Sequence, residues 1–226
     1  MNSPAASLRS LLLFLSMGFS ISALAQGTTT PTPPPTPQPQ SVRISFLPPP
    51  LEGTISLGIY DAKGNLVRVL HREAELDAFD VGADALHTKW DGKNDAGEDV
   101  ARGKYSARGF VVGDLEVEEV ADPVSGTPPA LPKVKVKLVE NPLTPGDRPW
   151  IELIADFDED ASYLKTVDGL PLYTVDELPG IARVSLGQQG EKSVEVFEDD
   201  GDSVAQLHVS GVDKMMAFDC GGFELK

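Results

Sequence analysis

Apolar and polar side chains alternate with a period of two along much of the chain beyond residue 41. Val42-Arg43-Ile44-Ser45-Phe46 and Ile55-Ser56-Leu57-Gly58-Ile59 are clear examples. This alternation is typical of β-strands that bury one face and expose the other. The same analysis predicts further strands at residues 66–70, 86–90, 104–112, 150–155, 182–186, 193–197, 204–209 and 215–218. The pattern therefore predicts an all-β protein.

Turn-forming residues separate these strands. Asp61-Ala62-Lys63-Gly64-Asn65 follows one predicted strand and precedes another, which predicts a β-hairpin. In residues 71–85 the alternation is absent, which predicts a short helix or a long loop. Short strands spaced by Gly/Asp turns favour a β-sandwich.

Two neighbouring segments carry opposite charges on their polar faces. Leu115-Glu116-Val117-Glu118 exposes glutamates, and Val134-Lys135-Val136-Lys137-Leu138 exposes lysines. If the two strands pair in antiparallel fashion, each Glu–Lys pair contributes about 0.2–1 kcal/mol. The sequence thus predicts a ribbon with Glu116 or Glu118 near Lys135 or Lys137.

A weak internal repeat occupies the last 90 or so residues. Phe157-Asp158-Glu159-Asp160 and, forty residues later, Phe197-Glu198-Asp199-Asp200 each lead into a short strand, an Asp/Gly turn and a second strand. A period of this length is found in propeller blades, but two copies cannot close a ring. The alternative is a chance similarity between acidic hairpins.

The N-terminal 40 residues have the composition of an export signal and a spacer. Met1–Ala25 combines Arg9, an apolar stretch and an Ala-x-Ala cleavage site, which predicts a signal peptide rather than a membrane anchor. The Thr/Pro/Gln tract that follows predicts a semi-rigid polyproline II spacer, with a disordered leader as the alternative. We therefore expect a secreted, periplasmic or cell-surface bacterial protein with no membrane span after cleavage.

The chain divides into five segments on this basis. They are a signal peptide at 1–25, a Thr/Pro-rich linker at 26–40, an Ig-type sandwich at 41–122, a Pro-rich linker at 123–132, and an acidic β-rich domain at 133–226.

The net charge of −16 limits the classes of partner. An acidic surface repels phosphate backbones, which argues against nucleic-acid binding. Residues 123–140 are an exception, with three lysines and one glutamate. A protein or cell-envelope partner is the expectation that remains.

One stretch resembles a known family. Residues 53–110 contain GTISLGIYDAKGNLVRVL and, later, WDGKNDAGEDVARGKY. The matching features are Ile59-Tyr60-Asp61, Gly64, Val67-Arg68, Trp90-Asp91-Gly92, Asp95, Gly97, Gly103 and Tyr105. This pattern is similar to the Ig-like domain of the flagellar hook-capping protein (the FlgD-type Ig module), which also occurs in other secreted bacterial proteins.

The resemblance implies a β-sandwich used for structure or association, without catalytic residues. The segment between Leu70 and Leu86 is longer and more acidic than the hairpin expected in that family. Asp91, Asn94, Asp95 and Asp99 suit turn capping, with a calcium loop as the alternative.

Candidate chemistry is sparse elsewhere. His71, His87 and His208 lie at no metal-ligand spacing, and the single cysteine, Cys220, follows an apolar run that favours a packed thiol. No serine-hydrolase, zinc-protease or phosphate-loop motif occurs. We therefore predict a protein that is not an enzyme and needs no cofactor.

A calcium site is the one metal hypothesis. Asp156, Asp158 and Asp160 alternate like the start of a calcium loop, but Ala161 replaces the required glycine and Val167 the required glutamate. A solvated acidic turn is the alternative.

The predicted function is an exported structural or interaction module. Its alternative is a carbohydrate-binding or accessory module of a cell-surface system, which Trp150 beside Tyr163 or Tyr173 in a groove would favour. A remote hydrolase would instead need Asp, Glu and His clustered in one cleft.

Overall fold

The computed structural model describes residues 41–121, 130–188 and 190–226. The predicted signal peptide, the Thr/Pro-rich linker and residues 123–129 of the second linker lie outside the described residues. No helix in the described part of the chain is long and apolar enough to cross a bilayer.

Strands dominate the described residues, as the alternation predicts. A single 3₁₀ turn, Leu76–Ala78, interrupts them. The strands are β1 Val42–Phe46, β2 Thr54–Asp61, β3 Leu66–Ala74, β4 Asp80–Val81, β5 Leu86–Trp90, β6 Gly103–Val112, β7 Glu116–Glu119, β8 Val134–Lys137, β9 Trp150–Phe157, β10 Ser162–Thr166, β11 Pro171–Asp176, β12 Arg183–Gln188, β13 Ser193–Asp199, β14 Val204–Ser210 and β15 Met215–Leu225.

These strands form four antiparallel sheets. Sheet I has the order β1-β5-β4, and sheet II has the order β15-β6-β2-β3. Sheet III has the order β12-β13-β14-β7, and sheet IV has the order β11-β10-β9-β8. The all-β prediction is confirmed.

Sheets I and II enclose the first core. Trp90 of β5 is fully buried, and its ring meets Tyr105 of β6 with 5.1 Å between centroids. The indole Nε1 donates a 2.8 Å hydrogen bond to the carbonyl of Lys93. Both aromatic residues of the WDG…GKY pattern therefore pack in a sandwich core, because the strands that carry them face each other.

Sheets III and IV contribute most of a second core. Its members include Val134 and Val136 of β8, Leu153 of β9, Leu164 of β10 and Val196 of β13. All five are at most 2 % exposed, in keeping with strands whose alternate side chains turn inward.

Sheet II borders both cores. On β6, Phe110 and Val112 belong to the second core, whereas Val111 between them belongs to the first. Met215 and Phe218 of β15 divide in the same way. Successive strand residues point to opposite faces, so one sheet can line two cores.

The sheets do not follow the predicted boundary between residues 122 and 133. β15 lies near the C-terminus but pairs with β6 in sheet II, over Met215–Leu225. β7 precedes the boundary but pairs with β14 in sheet III. All described residues belong to one compact unit, Gln38–Lys226.

Polar contacts also connect sheet II to sheet IV. Arg108 bonds Asp168 at 2.7 Å while its guanidinium lies 3.9 Å from the centre of the Tyr60 ring. The Glu73 carboxylate accepts two hydrogen bonds from Thr174, one from the hydroxyl at 2.6 Å and one from the backbone N–H at 2.9 Å. Burial, reinforced by the charge of Asp168, raises the pKa of Tyr60 to about 12, so this hydroxyl keeps its proton.

The predicted Glu–Lys ribbon is wrong. β7 lies in sheet III opposite β14, where Glu118 faces His208. β8 lies in sheet IV opposite β9, where Lys135 faces Glu152 and Lys137 faces Trp150. Local charge alternation favoured pairing the two neighbouring strands, but the apolar rows of β7 and β8 belong to different sheets.

The internal repeat corresponds to two similar hairpin arrangements whose last strands diverge. β9, β10 and β11 are consecutive neighbours in sheet IV, and β13 pairs with β14 in sheet III. The next strand, β15, leaves that hairpin and pairs with β6 instead. The repeat therefore does not form two equivalent blades.

Local turn chemistry agrees with the sequence. The Asp61 carboxylate accepts the N–H groups of Lys63 at 2.8 Å and Asn65 at 2.9 Å, and Gly64 has φ +85°. This closes the β2–β3 hairpin. The irregular segment is shorter than predicted, because β3 continues to Ala74 before the 3₁₀ turn.

We expect Trp90→Ala to lower the free energy of unfolding by about 3–5 kcal/mol, because it empties a buried aromatic site. Trp150→Ala is the matched control: Trp150 is 49 % exposed, and its loss should cost less than about 1 kcal/mol. Urea unfolding followed by circular dichroism measures both. Equal losses for the two variants would contradict the assigned core.

Candidate interaction surface

A basic strand lies at one border of sheet IV. β8 alternates buried Val134 and Val136 with exposed Lys135 and Lys137, and it pairs on one side with β9. We call Lys133, Lys135 and Lys137, together with Trp150 of β9, the basic edge. No described strand pairs with the other side of β8, although just outside the strand Leu131 and Val139 donate their N–H groups to the carbonyls of Leu186 at 2.8 Å and Asp213 at 3.2 Å.

Trp150 is the centre of the basic edge. Its ring lies 5.1 Å from the Lys135 Nζ and 6.0 Å from the Lys137 Nζ, within the range of cation–π attraction. Half of the residue is exposed. Lys133 is held by Glu152 at 2.8 Å. A half-exposed tryptophan beside several cations provides both apolar area and charge for recognition.

An acidic strand lies at one border of sheet III. β7 exposes Glu116, Glu118 and Glu119, and Val117 packs against the second core. We call these three glutamates the acidic edge. Among the described strands only β14 pairs with it.

The two edges lie on opposite flanks of the second sandwich. β8 and β9 contact β12, at the border of sheet III away from β7. On the other flank, the Tyr173 hydroxyl of β11 donates to the carbonyl of Leu115, just before β7, at 3.3 Å. The acidic and basic edges therefore cannot meet within one chain.

The aromatic pair expected for a sugar-binding groove does not assemble. Trp150 begins β9, whereas Tyr163 lies opposite Asp156, six residues further along that strand. Six residues of strand span about 20 Å. The Tyr163 ring is covered by Arg72, and Tyr173 is directed to Leu115.

Two of the three candidate calcium ligands are engaged by other groups. Asp156 pairs with Lys165, and Asp158 accepts the N–H groups of Asp160 at 3.1 Å and Ala161 at 3.0 Å. Those backbone hydrogen bonds hold the pKa of Asp158 below its ordinary value. Asp158 and Asp160 border a cleft of about 520 Å³ that also contains Arg72.

Within 41–121, 130–188 and 190–226, no group of three or more His, Cys, Asp or Glu side chains is arranged to hold a metal ion. Calcium binding stays a prediction.

The acidic residues after Trp90 cap turns. Asp91 accepts the N–H of Lys93 at 3.1 Å, and Asn94 accepts that of Glu98 at 2.9 Å. Asp95 accepts the N–H of Val69 at 3.0 Å, which ties the loop to β3. Asp91 and Asn94 thus stabilise local backbone, whereas Asp95 stabilises a contact with a distant strand.

A carboxylate–histidine pair lies on the outer face of sheet III. Glu195 bonds the Nδ1 of His208 at 2.7 Å and the amide of Gln206 at 3.1 Å. His208 borders a cleft of about 430 Å³ with Ser193 and Ser210. The Glu195 carboxylate therefore holds the His208 ring through Nδ1.

Glu198 is a buried acid that the sequence did not distinguish from other glutamates. It is 3 % exposed, accepts a hydrogen bond from the Ser162 hydroxyl through Oε1, and leaves Oε2 without a partner. Burial, followed by the charge of Asp176, raises its pKa. The signal that could have found it is its place on the inward row of β13, two residues after Val196.

Cys220 lies at the irregular section of β15 between Asp219 and Gly222. Burial raises the pKa of its thiol to about 12, so the reactive thiolate is suppressed. This environment favours the packed thiol over a nucleophile.

Replacing Glu198 with glutamine should raise the stability of the protein at neutral pH. Because its folded pKa lies above the ordinary 4.5, the contribution of this carboxyl to the stability of the wild type is fully present below pH 4.5 and is lost as pH rises through the folded pKa. Glutamine stays neutral, so we expect a gain of about 1 kcal/mol at pH 8 that shrinks towards pH 4.

Urea unfolding at several pH values measures this effect. Glu195→Gln is the control, because its carboxylate is fully bonded and its replacement should destabilise. A pH-independent difference between E198Q and the wild type would contradict the buried-acid assignment.

Titration with Ca²⁺ tests the metal hypothesis. Because Asp156 and Asp158 are already bonded, we expect no binding heat in calorimetry and no change in melting temperature. Heat that disappears in D156N/D158N/D160N, but not in the control D200N/D202N, would establish the site instead.

The chain was compared with models of known protein families, with curated proteins and with solved structures. None of the three comparisons found a match. The resemblance to the FlgD-type Ig module accordingly rests on its own residues.

Proposed function

We propose that this protein is an exported, non-catalytic structural module that binds a protein partner of the bacterial cell envelope through its open sheet edges. The observation that carries the proposal is the basic edge: a half-exposed Trp150 flanked by Lys135 and Lys137 on a chain of net charge −16. Edge strands present free backbone groups that can extend a sheet into a partner.

The chemistry of the clefts supports a binding role over catalysis. Arg72 in the larger cleft is engaged by Asp158 at 3.4 Å and by the ring of Tyr163. In the smaller cleft, Lys192 is paired with Asp213 at 3.0 Å. Charged groups that are held in such internal pairs stabilise the fold. Few of their hydrogen-bonding positions are then available to contact a substrate.

The FlgD-type Ig assignment fits this proposal. Trp90, Asp91, Asp95 and Tyr105 each take a structural role, in the first core or in its turns. The border strands β7 and β8 lie outside this stretch, in the second sandwich, which shares sheet II with the first. The N-terminal signal and Thr/Pro-rich spacer favour presentation outside the cytoplasm.

A carbohydrate-binding module is the second candidate, and exposed Trp150 favours it. Sugar rings stack on flat aromatic faces, and a tryptophan at the surface offers one. Against it, the neighbours of Trp150 are lysines and Glu152 rather than a second aromatic ring.

A capture experiment with the mature chain as bait tests the proposal. Against envelope extract of the source bacterium, we expect the wild type to retain a protein and K135E/K137E to retain roughly tenfold less, because reversal of charge makes an attractive contact repulsive. K63E/K104E, which changes the net charge equally at exposed lysines elsewhere, should behave like the wild type.

The captured material distinguishes the candidates. Glycans without protein, lost in W150A, would overturn the structural module in favour of carbohydrate binding. Equal retention by K135E/K137E and the wild type would contradict the basic edge as the contact site.

A further inference from the structure

We infer that the partner of each open edge is a second copy of this chain, with the acidic edge of one copy pairing in parallel with the basic edge of the next. The inference rests on the proposed function and names its partner. β7 and β8 are both short border strands of four residues, and Glu116 and Glu118 of β7 have the same spacing of two as Lys135 and Lys137 of β8.

The charges select which edges can pair. Two copies of β8 would bring lysines against lysines, and two copies of β7 would bring glutamates against glutamates. Both like-edge pairings are repulsive. Charged side chains on border strands generally prevent uncontrolled sheet extension. Here the same charges attract the unlike edge, so they exclude symmetric pairing while permitting β7 against β8.

Backbone geometry determines the strand direction. Val120 N–H donates to Gln206 at 2.9 Å, so by alternation Glu116 and Glu118 direct their backbone groups to β14, and Val117 and Glu119 direct theirs away from the sheet. The backbone groups of the acidic edge that have no partner strand among the described residues therefore belong to Val117 and Glu119.

The same argument applies to β8. Leu138 N–H donates to Pro149 at 2.9 Å, so Val134 and Val136 direct their backbone groups to β9. Lys135 and Lys137 direct theirs away from the sheet. On this strand the outward backbone groups and the exposed side chains thus belong to the same residues.

Only parallel pairing forms the backbone hydrogen bonds between the edges and also matches their side chains on each face. An antiparallel ladder sets outward-directed residues opposite each other and would place Val117 against a lysine. A parallel ladder sets an outward-directed residue opposite an inward-directed one. It places Val117 opposite Val136, Glu116 opposite Lys135 and Glu118 opposite Lys137, so the apolar row continues on one face and the ion pairs form on the other.

The position of the edges determines the form of the assembly. Because β7 and β8 lie on opposite flanks of the second sandwich, a copy that uses its basic edge keeps its acidic edge free. Such a heterologous contact extends into a row unless its rotation closes a ring. Each contact is short, so we expect weak, concentration-dependent association.

Sedimentation of the purified mature chain at physiological salt tests the inference. We expect the weight-average mass to rise steadily with concentration for the wild type. K135E/K137E has two acidic edges and E116K/E118K has two basic edges, so each alone should associate roughly tenfold more weakly. K63E/K104E is the net-charge control for K135E/K137E, because both variants replace two exposed lysines with glutamates.

Mixing is the decisive measurement. Equal amounts of K135E/K137E and E116K/E118K should recover association, because every unlike contact in the mixture is attractive. The chain carrying all four substitutions should also recover it. Failure of both would overturn the inference, as would a wild type that stays monomeric or stops at a dimer.

Disulfide trapping tests the register. Paired strands lie about 4.8 Å apart, within the Cα separation that a disulfide spans. In a Cys220→Ser background, E116C mixed with K135C should cross-link under mild oxidation, and E116C mixed with K63C should not. Equal cross-linking in the two mixtures would contradict the parallel register.

These outcomes separate the inference from the proposed function. If the wild type is monomeric but its capture of an envelope protein still depends on Lys135 and Lys137, the result contradicts self-association and supports the interaction module. A monomeric wild type whose capture of an envelope protein does not depend on Lys135 and Lys137 contradicts both the self-association and the proposed interaction module.

Discussion

The burial of sheet II on both faces is the constraint on which the rest of the fold depends. β6 and β15 direct alternate side chains into two cores, so neither half of the chain can complete its core without the other. The strand pairing between β6 and β15 joins residues more than a hundred positions apart, as with Val112 and Met215. The cost in chain entropy of this long-range pairing is offset by apolar surface removed from water on both sides of one sheet.

This arrangement also decides which strands stay available to a partner. With sheet II enclosed, the second sandwich has β7 and β8 as border strands on opposite flanks. Their exposed rows carry the charges, while Val117, Val134 and Val136 continue the second core. Core packing and the charged rows therefore use different faces of the same strands, and charge can vary at the edge without disturbing the core.

Polar side chains at the contact between sheets II and IV bond to each other across it. Arg108, Asp168 and Tyr60 form one contact between sheets II and IV, and Glu73 with Thr174 forms another. Among the described residues, three buried side-chain atoms have no hydrogen-bond partner: Glu198 Oε2, Arg68 Nε and Arg148 Nε. The raised pKa of Glu198 gives this interior a local dependence on pH.

The sequence by itself determined the class of fold and much of its local geometry. Period-two alternation places β1 at Val42–Phe46 and β5 at Leu86–Trp90, and Asp61 with Gly64 specifies the β2–β3 hairpin, because strand faces and turns depend on neighbouring residues. Tertiary structure alone decided the pairing of β6 with β15, the separation of β7 from β8, and the contact of Trp150 with Lys135. Those outcomes depend on which strands direct their apolar rows into the same core. Because every strand has the same period of two, the sequence pattern does not show which strands these are.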